Sequence, residues 1–196
     1  RYLWATTGNG VVVALDMEGH EKWRIDLQRK YGKFGMAFGY ASSPLLYDDK
    51  LIFQVLHGYR TDESSYLVAF EAQTGVELWR CERPTDARSE SVDAYTTPSL
   101  LVHQGGNQIV ILGGDYITGH DPNTGIELWR SSGLNPRQAG NYRIVPSPIA
   151  VDGMIYAPSR KKPLLALRAG GSGDVTHSHL VWRWDRDGGP DVPTPA

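Results

Sequence analysis

One thirteen-residue pattern ending in Trp-Arg returns along this chain, and it limits the folds open to the sequence more than any other feature. Val68-Ala-Phe-Glu-Ala-Gln-Thr-Gly-Val-Glu-Leu-Trp79-Arg80 is answered by Thr118-Gly-His-Asp-Pro-Asn-Thr-Gly-Ile-Glu-Leu-Trp129-Arg130. A copy one residue shorter is Val13-Ala-Leu-Asp-Met-Glu-Gly-His-Glu-Lys-Trp23-Arg24. A fourth copy opens at Leu165-Ala-Leu-Arg, but a Gly/Ser/His-rich insertion delays its tryptophan to Trp182 or Trp184. A second marker keeps the same beat: Ser43-Pro44, Thr97-Pro98, Ser147-Pro148 and Thr194-Pro195, each opening an apolar run. Proline suits the first position of a strand, where its missing N–H costs no ladder bond.

Between the two markers each unit reads as four strands. In the second unit these are expected at 44–47, 51–56, 66–71 and 76–80, all rich in Val, Ile, Leu, Phe or Tyr. Asp48-Asp49-Lys50 and Asp152-Gly153 supply turns between first and second strands, and Gln73-Thr74-Gly75 and Asn123-Thr124-Gly125 between third and fourth. No segment with helical period and caps is expected to interrupt them.

A meander of about fifty residues cannot bury both faces alone, so copies must stack; radial stacking is the known solution for this period. The expected fold class is therefore all-β: a β-propeller of four-stranded antiparallel blades. Blades are expected at 1–27, 40–80, 94–130 and 144–184, with the next beginning at 193–196: three whole units flanked by partial ones, from a longer parent. A cut-open propeller would present two unpaired sheet edges prone to aggregation. Trp23, Trp79, Trp129 and Trp182, one per repeat, are expected to wedge between neighbouring sheets.

The 196 residues are 40% hydrophobic, enough for a sizeable core. A formal charge of −2 gives no field that steers the chain to nucleic acid or an anionic membrane. Arg160-Lys161-Lys162 is too short for a nucleic-acid stripe, and the apolar runs are too short to span a bilayer. Cys81 is the only cysteine, so no internal disulfide forms, and it is read as an inert thiol. The chain begins at Arg1 without a charged-then-apolar leader; a signal peptide, if one exists, is expected outside this segment.

At Ala69-Phe-Glu-Ala-Gln-Thr-Gly-Val-Glu-Leu-Trp79 the sequence resembles the quinoprotein-type repeat, Ala-x-Asp-x-x-Thr-Gly-x-x-x-Trp, of pyrroloquinoline quinone-like propellers. With the Ser/Thr-Pro marker, the resemblance extends over essentially the whole chain. It implies a seven- or eight-bladed ring in a periplasmic or other extracytoplasmic compartment of bacteria. It also implies one of two branches: quinone-dependent alcohol or sugar dehydrogenases with calcium, or non-catalytic members such as the propeller lipoprotein of outer-membrane protein assembly. The departures favour the second. Lone Cys81 cannot form the adjacent-cysteine disulfide of many such enzymes, and no segment aligns with their Asn/Asp/Glu metal cluster.

In an up-and-down meander, second-to-third loops and inter-unit links emerge at the same end of the sheets. Here these are the long connections, notably 57–65 and the links 24–42, 80–96 and 130–145, so that face is the expected recognition surface. Its candidate ligand- or partner-binding residues are Tyr40 and Ser42, Tyr95 and Thr96, and Tyr142 and Arg143, each pair ahead of a Ser/Thr-Pro marker. Loop residues His57, Tyr59, Arg60, Asp115, Arg160 and Lys161 join them. Such a ring of tyrosines and cations suits a polar, aromatic or anionic ligand, or a peptide. His177 and His179 have a spacing that can hold a metal, but Asp174 is their only near acidic companion; Asp185, Asp187 and Asp191 lack the ligand pattern of a calcium loop. No metal site is expected, and no nucleophile elbow, phosphate loop or zinc pair is present, so no catalytic residue is assigned.

The leading expectation is a non-catalytic scaffold, without cofactor, that binds a protein, peptide or cell-envelope component alongside the remaining blades of its parent. The alternative is a segment of a dehydrogenase holding pyrroloquinoline quinone with calcium. A sensor domain joined to a signalling module is a third reading.

Overall fold

The computed structural model describes residues 1–104 and 106–195. Gly105, within the expected turn at Gly105-Gly106, and Ala196, the last residue of the expected next blade, lie outside the described residues.

Four sheets follow one another along the chain, each a meander of consecutive neighbours. The first contains β1 (Leu3–Thr6), β2 (Val11–Leu15) and β3 (Glu21–Asp26). The second contains β4 (Leu45–Tyr47), β5 (Lys50–Val55), β6 (Tyr66–Glu71) and β7 (Glu77–Glu82). In the third are β8 (Ser99–Leu101), β9 (Gln108–Gly113), β10 (Tyr116–His120) and β11 (Glu127–Ser131). The fourth has β12 (Ile149–Val151), β13 (Met154–Pro158), β14 (Leu164–Arg168) and β16 (Leu180–Trp184).

The two middle strands of the second sheet are buried on both faces, and alternation decides which neighbour each side chain meets. Phe53, Val55, Val68 and Phe70 join Val12 and Leu27 in the layer between the first and second sheets. Ile52, Leu56, Leu67 and Ala69 turn the other way, onto Ile109 and Ile111 of the third. Leu112, Ile117 and Trp129 then face Ile155, Leu165 and Leu167 of the fourth. Each inter-sheet gap thus holds its own apolar layer, which is why these strands read as near-continuous Val/Ile/Leu runs.

The repeated markers have repeated structural roles. A register shift falls between third and fourth strands at Ala14/Leu15, Ala69/Phe70, Gly119/His120 and Ala166/Leu167, just before the turn. In the next sheet's turn stands a glycine with positive φ, and the preceding tryptophan covers it. A Cβ on Gly75 would lie 2.8 Å from the Trp23 ring, and one on Gly125 would lie 2.5 Å from the Trp79 ring. The indole N–H of Trp23 donates to Ala72 O at 3.2 Å and that of Trp79 to Pro122 O at 3.3 Å. Trp129 is fully buried but differs, donating to Gln108 Oε1 of its own sheet at 2.8 Å. Trp182 stays 41% exposed beside Tyr156.

The Ser/Thr-Pro markers form a relay across the sheets. Ser43 N–H donates to Thr97 Oγ1 at 3.1 Å, Thr97 N–H to Ser147 Oγ at 2.8 Å, and Ser147 N–H to Thr194 Oγ1 at 3.0 Å.

Three features differ from the sequence reading. A short helix, α1 (Leu27–Tyr31), follows β3, capped by the Asp26 carboxylate accepting from Arg29 N–H; one turn is too short to display a helical period. A 3₁₀ turn occupies Ser89–Val92. The insertion of the fourth unit is also structured: β15 (Gly173–Asp174) pairs parallel with Trp129 and Arg130, adding a fifth strand to the outer edge of the third sheet. Ser132 N–H donating to Thr176 Oγ1 at 3.0 Å extends this strap.

Candidate functional site

The long connections come together at one end of the sheets, and buried polar groups bind them to one another. Asp93, fully buried, accepts from Ala37 N–H at 3.0 Å and from Tyr59 N–H at 3.2 Å, so one carboxylate ties the 32–40 link to the 57–65 loop. Burial pushes its pKa up, opposed by those backbone donors. His57 makes a second tie: its Nδ1 accepts from Gly35 N–H at 3.2 Å and its Nε2 faces Ser64 O at 3.2 Å. Burial lowers the His57 pKa, consistent with a neutral ring that accepts at one nitrogen and donates at the other.

Several of the residues singled out from sequence therefore face inward. Tyr40, Ser42, His57, Tyr95 and Thr96 are all buried. The Tyr40 hydroxyl donates to Gln54 O at 3.0 Å, the Gln54 amide donates to Thr96 Oγ1 at 2.6 Å, and Thr96 Oγ1 donates to Leu112 O at 2.6 Å. This chain crosses from the second sheet to the third. The Tyr95 hydroxyl accepts from Phe38 N–H at 3.3 Å. Strand-entry polar residues look alike in sequence whether they meet solvent or a neighbouring sheet.

What those ties hold outward is an aromatic and cationic surface. Phe38 is 68% exposed and Tyr59 41%. The Arg143 guanidinium lies over the Phe38 ring at 4.8 Å and donates to Glu90 at 2.7 Å, while Arg60 lies over Tyr59 at 5.3 Å. Phe38 and the clamp Asp93 escaped the sequence reading; the only signal was an aromatic in the glycine-flanked run Gly35-Met-Ala-Phe-Gly39. Beside this surface, Tyr142 packs its hydroxyl against the Lys162 backbone, accepting from Lys162 N–H at 3.3 Å.

Asp115 sits in the tight turn after β9 and accepts from the Asn135 amide at 3.0 and 3.1 Å, which also donates to Ala139 O at 2.9 Å. Desolvation carries the Asp115 carboxyl up to about 6, although the Asn135 donor opposes it. Arg160 and Lys161 line a cleft of about 610 Å3 with Tyr142, Arg137 and Arg183.

Among the described residues no group of three or more His, Cys, Asp or Glu side chains converges to hold a metal ion. Among the described residues the side chains do not supply the acidic cluster that a quinone-bound cation needs. No helix is long and apolar enough to cross a membrane among the described residues.

Consecutive antiparallel sheets, two of them wedged by a tryptophan against the next sheet's turn and all sharing one long-loop face, define the class as partial β-propeller. Solved structures bear this out. BamB from Moraxella catarrhalis aligns with a TM-score of 0.63 at 16% identity, covering 94% of this chain and 46% of that one. The quinohemoprotein alcohol dehydrogenase ADHIIG from Pseudomonas putida HK5 aligns at 0.66 and 19%, covering 97% and 33%. The PilY1 C-terminal domain of Pseudomonas aeruginosa aligns at 0.57 and 17%, covering 85% and 38%. Residues 1–192 match the PQQ_2 family, described as outer membrane protein assembly factor BamB, and the chain belongs to that family of PQQ-like propeller repeats. No curated protein sequence matches it. The chain spans less than half the length of each of these structures.

Proposed function

We propose that this chain is part of a non-catalytic scaffold of the bacterial cell envelope that engages a protein, peptide or envelope component through its long-loop face. The observation that carries this reading is the exposed pair Phe38 and Tyr59, each under an arginine and both fixed by Asp93. Preordered aromatic and arginine side chains are the groups that dominate protein–protein hot spots. The family's description as an outer-membrane assembly factor supports an extracytoplasmic location. In this reading the four sheets are blades of one larger propeller, and Trp23 and Trp79 set contacts between blades.

The test is photo-crosslinking in the native host from a photoreactive phenylalanine analogue at Tyr59, compared with the same analogue at Val76, exposed on a turn at the other end of the sheets. Discrete adducts from Tyr59 that weaken when Asp93→Ala frees the loops are expected. Adducts from Val76 alone would place the working surface at the opposite end and overturn the reading.

A further inference from the structure

The cleft bounded by the 135–142 link, the 160–162 loop and the end of β16 is lined by Arg137, Arg160, Lys161, Lys162, Arg183 and Tyr142, with Asp185 as its one carboxylate. On a chain of net charge −2 this is a local concentration of cations. We propose that it is a binding site for an acidic peptide segment of the scaffold's partner. The proposal rests on the scaffold reading and names the chemistry of what that face accepts.

The chain itself shows what the cleft accepts. Its own segment Asp185-Arg-Asp-Gly-Gly-Pro-Asp191 runs along the rim and places single carboxylates on successive cations. Arg183 Nε meets Asp185 at 2.8 Å, Lys162 Nζ meets Asp187 at 2.8 Å, and Arg160 Nε lies 3.6 Å from Asp191. The segment passes so close that a Cβ on Gly189 would lie 2.2 Å from Lys161 O. Glycine there lets the backbone press against the loop.

Carboxylates spread along an extended chain match cations spread along a cleft, whereas a compact phosphate calls for convergent donors. The match is incomplete. Arg137 and Lys161, both exposed, form no ion pair among the described residues, so a longer acidic strand finds charge that the chain's own segment leaves unmet. The existing pairs do not block it. Asp187 is 84% exposed and Asp191 50%, and pairs that open to solvent hold only weakly. They are displaceable, and the segment competes with the ligand.

The experiment is fluorescence anisotropy of a fluorescein-labelled hexa-aspartate peptide titrated with the full chain at low salt. Saturable binding is expected, weakened about tenfold or more by Arg137→Glu with Lys161→Glu, since charge reversal at a contact removes attraction and adds repulsion. Asp187→Asn with Asp191→Asn removes the competitor and tightens binding about threefold to fivefold, the worth of two weak exposed pairs. Arg29→Glu with Lys33→Glu, an equal change in net charge on and beside α1, leaves affinity within about twofold. Equal weakening by that control pair, no tightening on removing the two aspartates, or no binding would each overturn the site. A single-stranded DNA oligonucleotide binding as tightly as the peptide would overturn its acidic-peptide character. If Tyr59 crosslinks persist while hexa-aspartate does not bind, the acidic-peptide site fails alone; loss of the Tyr59 crosslinks themselves removes the scaffold reading.

Discussion

Asp115 has a left-handed backbone, with φ 65°, in a turn that buries much of its carboxyl, and desolvation raises its pKa to about 6. The native chain therefore binds this proton more tightly than an unfolded chain does. Its contribution to stability is fully present below about pH 4 and is lost as pH rises through about 6. Asp115→Asn keeps a side chain that tolerates this conformation and can still accept from Asn135. Urea midpoints of variant and parent are expected to diverge from pH 4 to pH 7 in favour of the variant. A difference that does not change with pH would mean that the carboxyl is solvated. The sequence marked Asp115 as notable but not why, because the reason lies in Asn135, twenty residues on. Likewise Tyr40, Ser42, Tyr95 and Thr96 were legible as a set at strand entries, while their inward direction depends on the neighbouring sheet. Residues such as Phe38 and Asp93, outside both repeated markers, could be found only once the loops were in place.

The strands, by contrast, were legible almost to the residue. Tyr66–Glu71 is as expected, and Glu77–Glu82 differs from expectation by one residue at its start and two at its end. Apolar runs bounded by Asp-Asp and Thr-Gly turns leave few alternatives. The strap β15 was not legible, because Gly173 and Asp174 are exposed and pair through the main chain alone. The contact between tryptophan and glycine offers a direct test of how neighbouring sheets are coupled. At Gly125, φ is 74° and a Cβ would lie 2.5 Å from the Trp79 ring, so Gly125→Ala incurs both backbone strain and a clash. The strain alone is worth about 1–2 kcal/mol. In a Trp79→Ala background the ring contact is gone and only a 3.2 Å approach to Cys81 Cβ remains, so Gly125→Ala is expected to cost little beyond that strain. Urea unfolding of both single variants and the double variant gives the coupling energy. Equal costs in the two backgrounds would show that the ring and the turn do not press on each other.

Taken whole, the molecule distributes its core over three inter-sheet layers and presents Phe38, Tyr59 and the Arg137, Arg160 and Lys161 cations on its long connections. Its likeness to a quinohemoprotein dehydrogenase extends to the fold, while among the described residues no three or more His, Cys, Asp or Glu side chains gather to hold a metal ion. Calorimetric titration of the full chain with pyrroloquinoline quinone, with and without calcium, is accordingly expected to give no saturable heat. Stoichiometric binding at micromolar or tighter affinity would move the protein to the dehydrogenase branch. The Ser/Thr-Pro relay has a consequence for symmetry. Every link gives an N–H from one Ser/Thr-Pro marker to a hydroxyl on the next, always in the order Ser43, Thr97, Ser147, Thr194. Such a relay has a head and a tail. A two-fold axis would set hydroxyl against hydroxyl or N–H against N–H, so any further sheet joined through it, from this chain or from another copy, must arrive in the same sense. Contacts made this way are heterologous, and they either come round into a ring or grow without end.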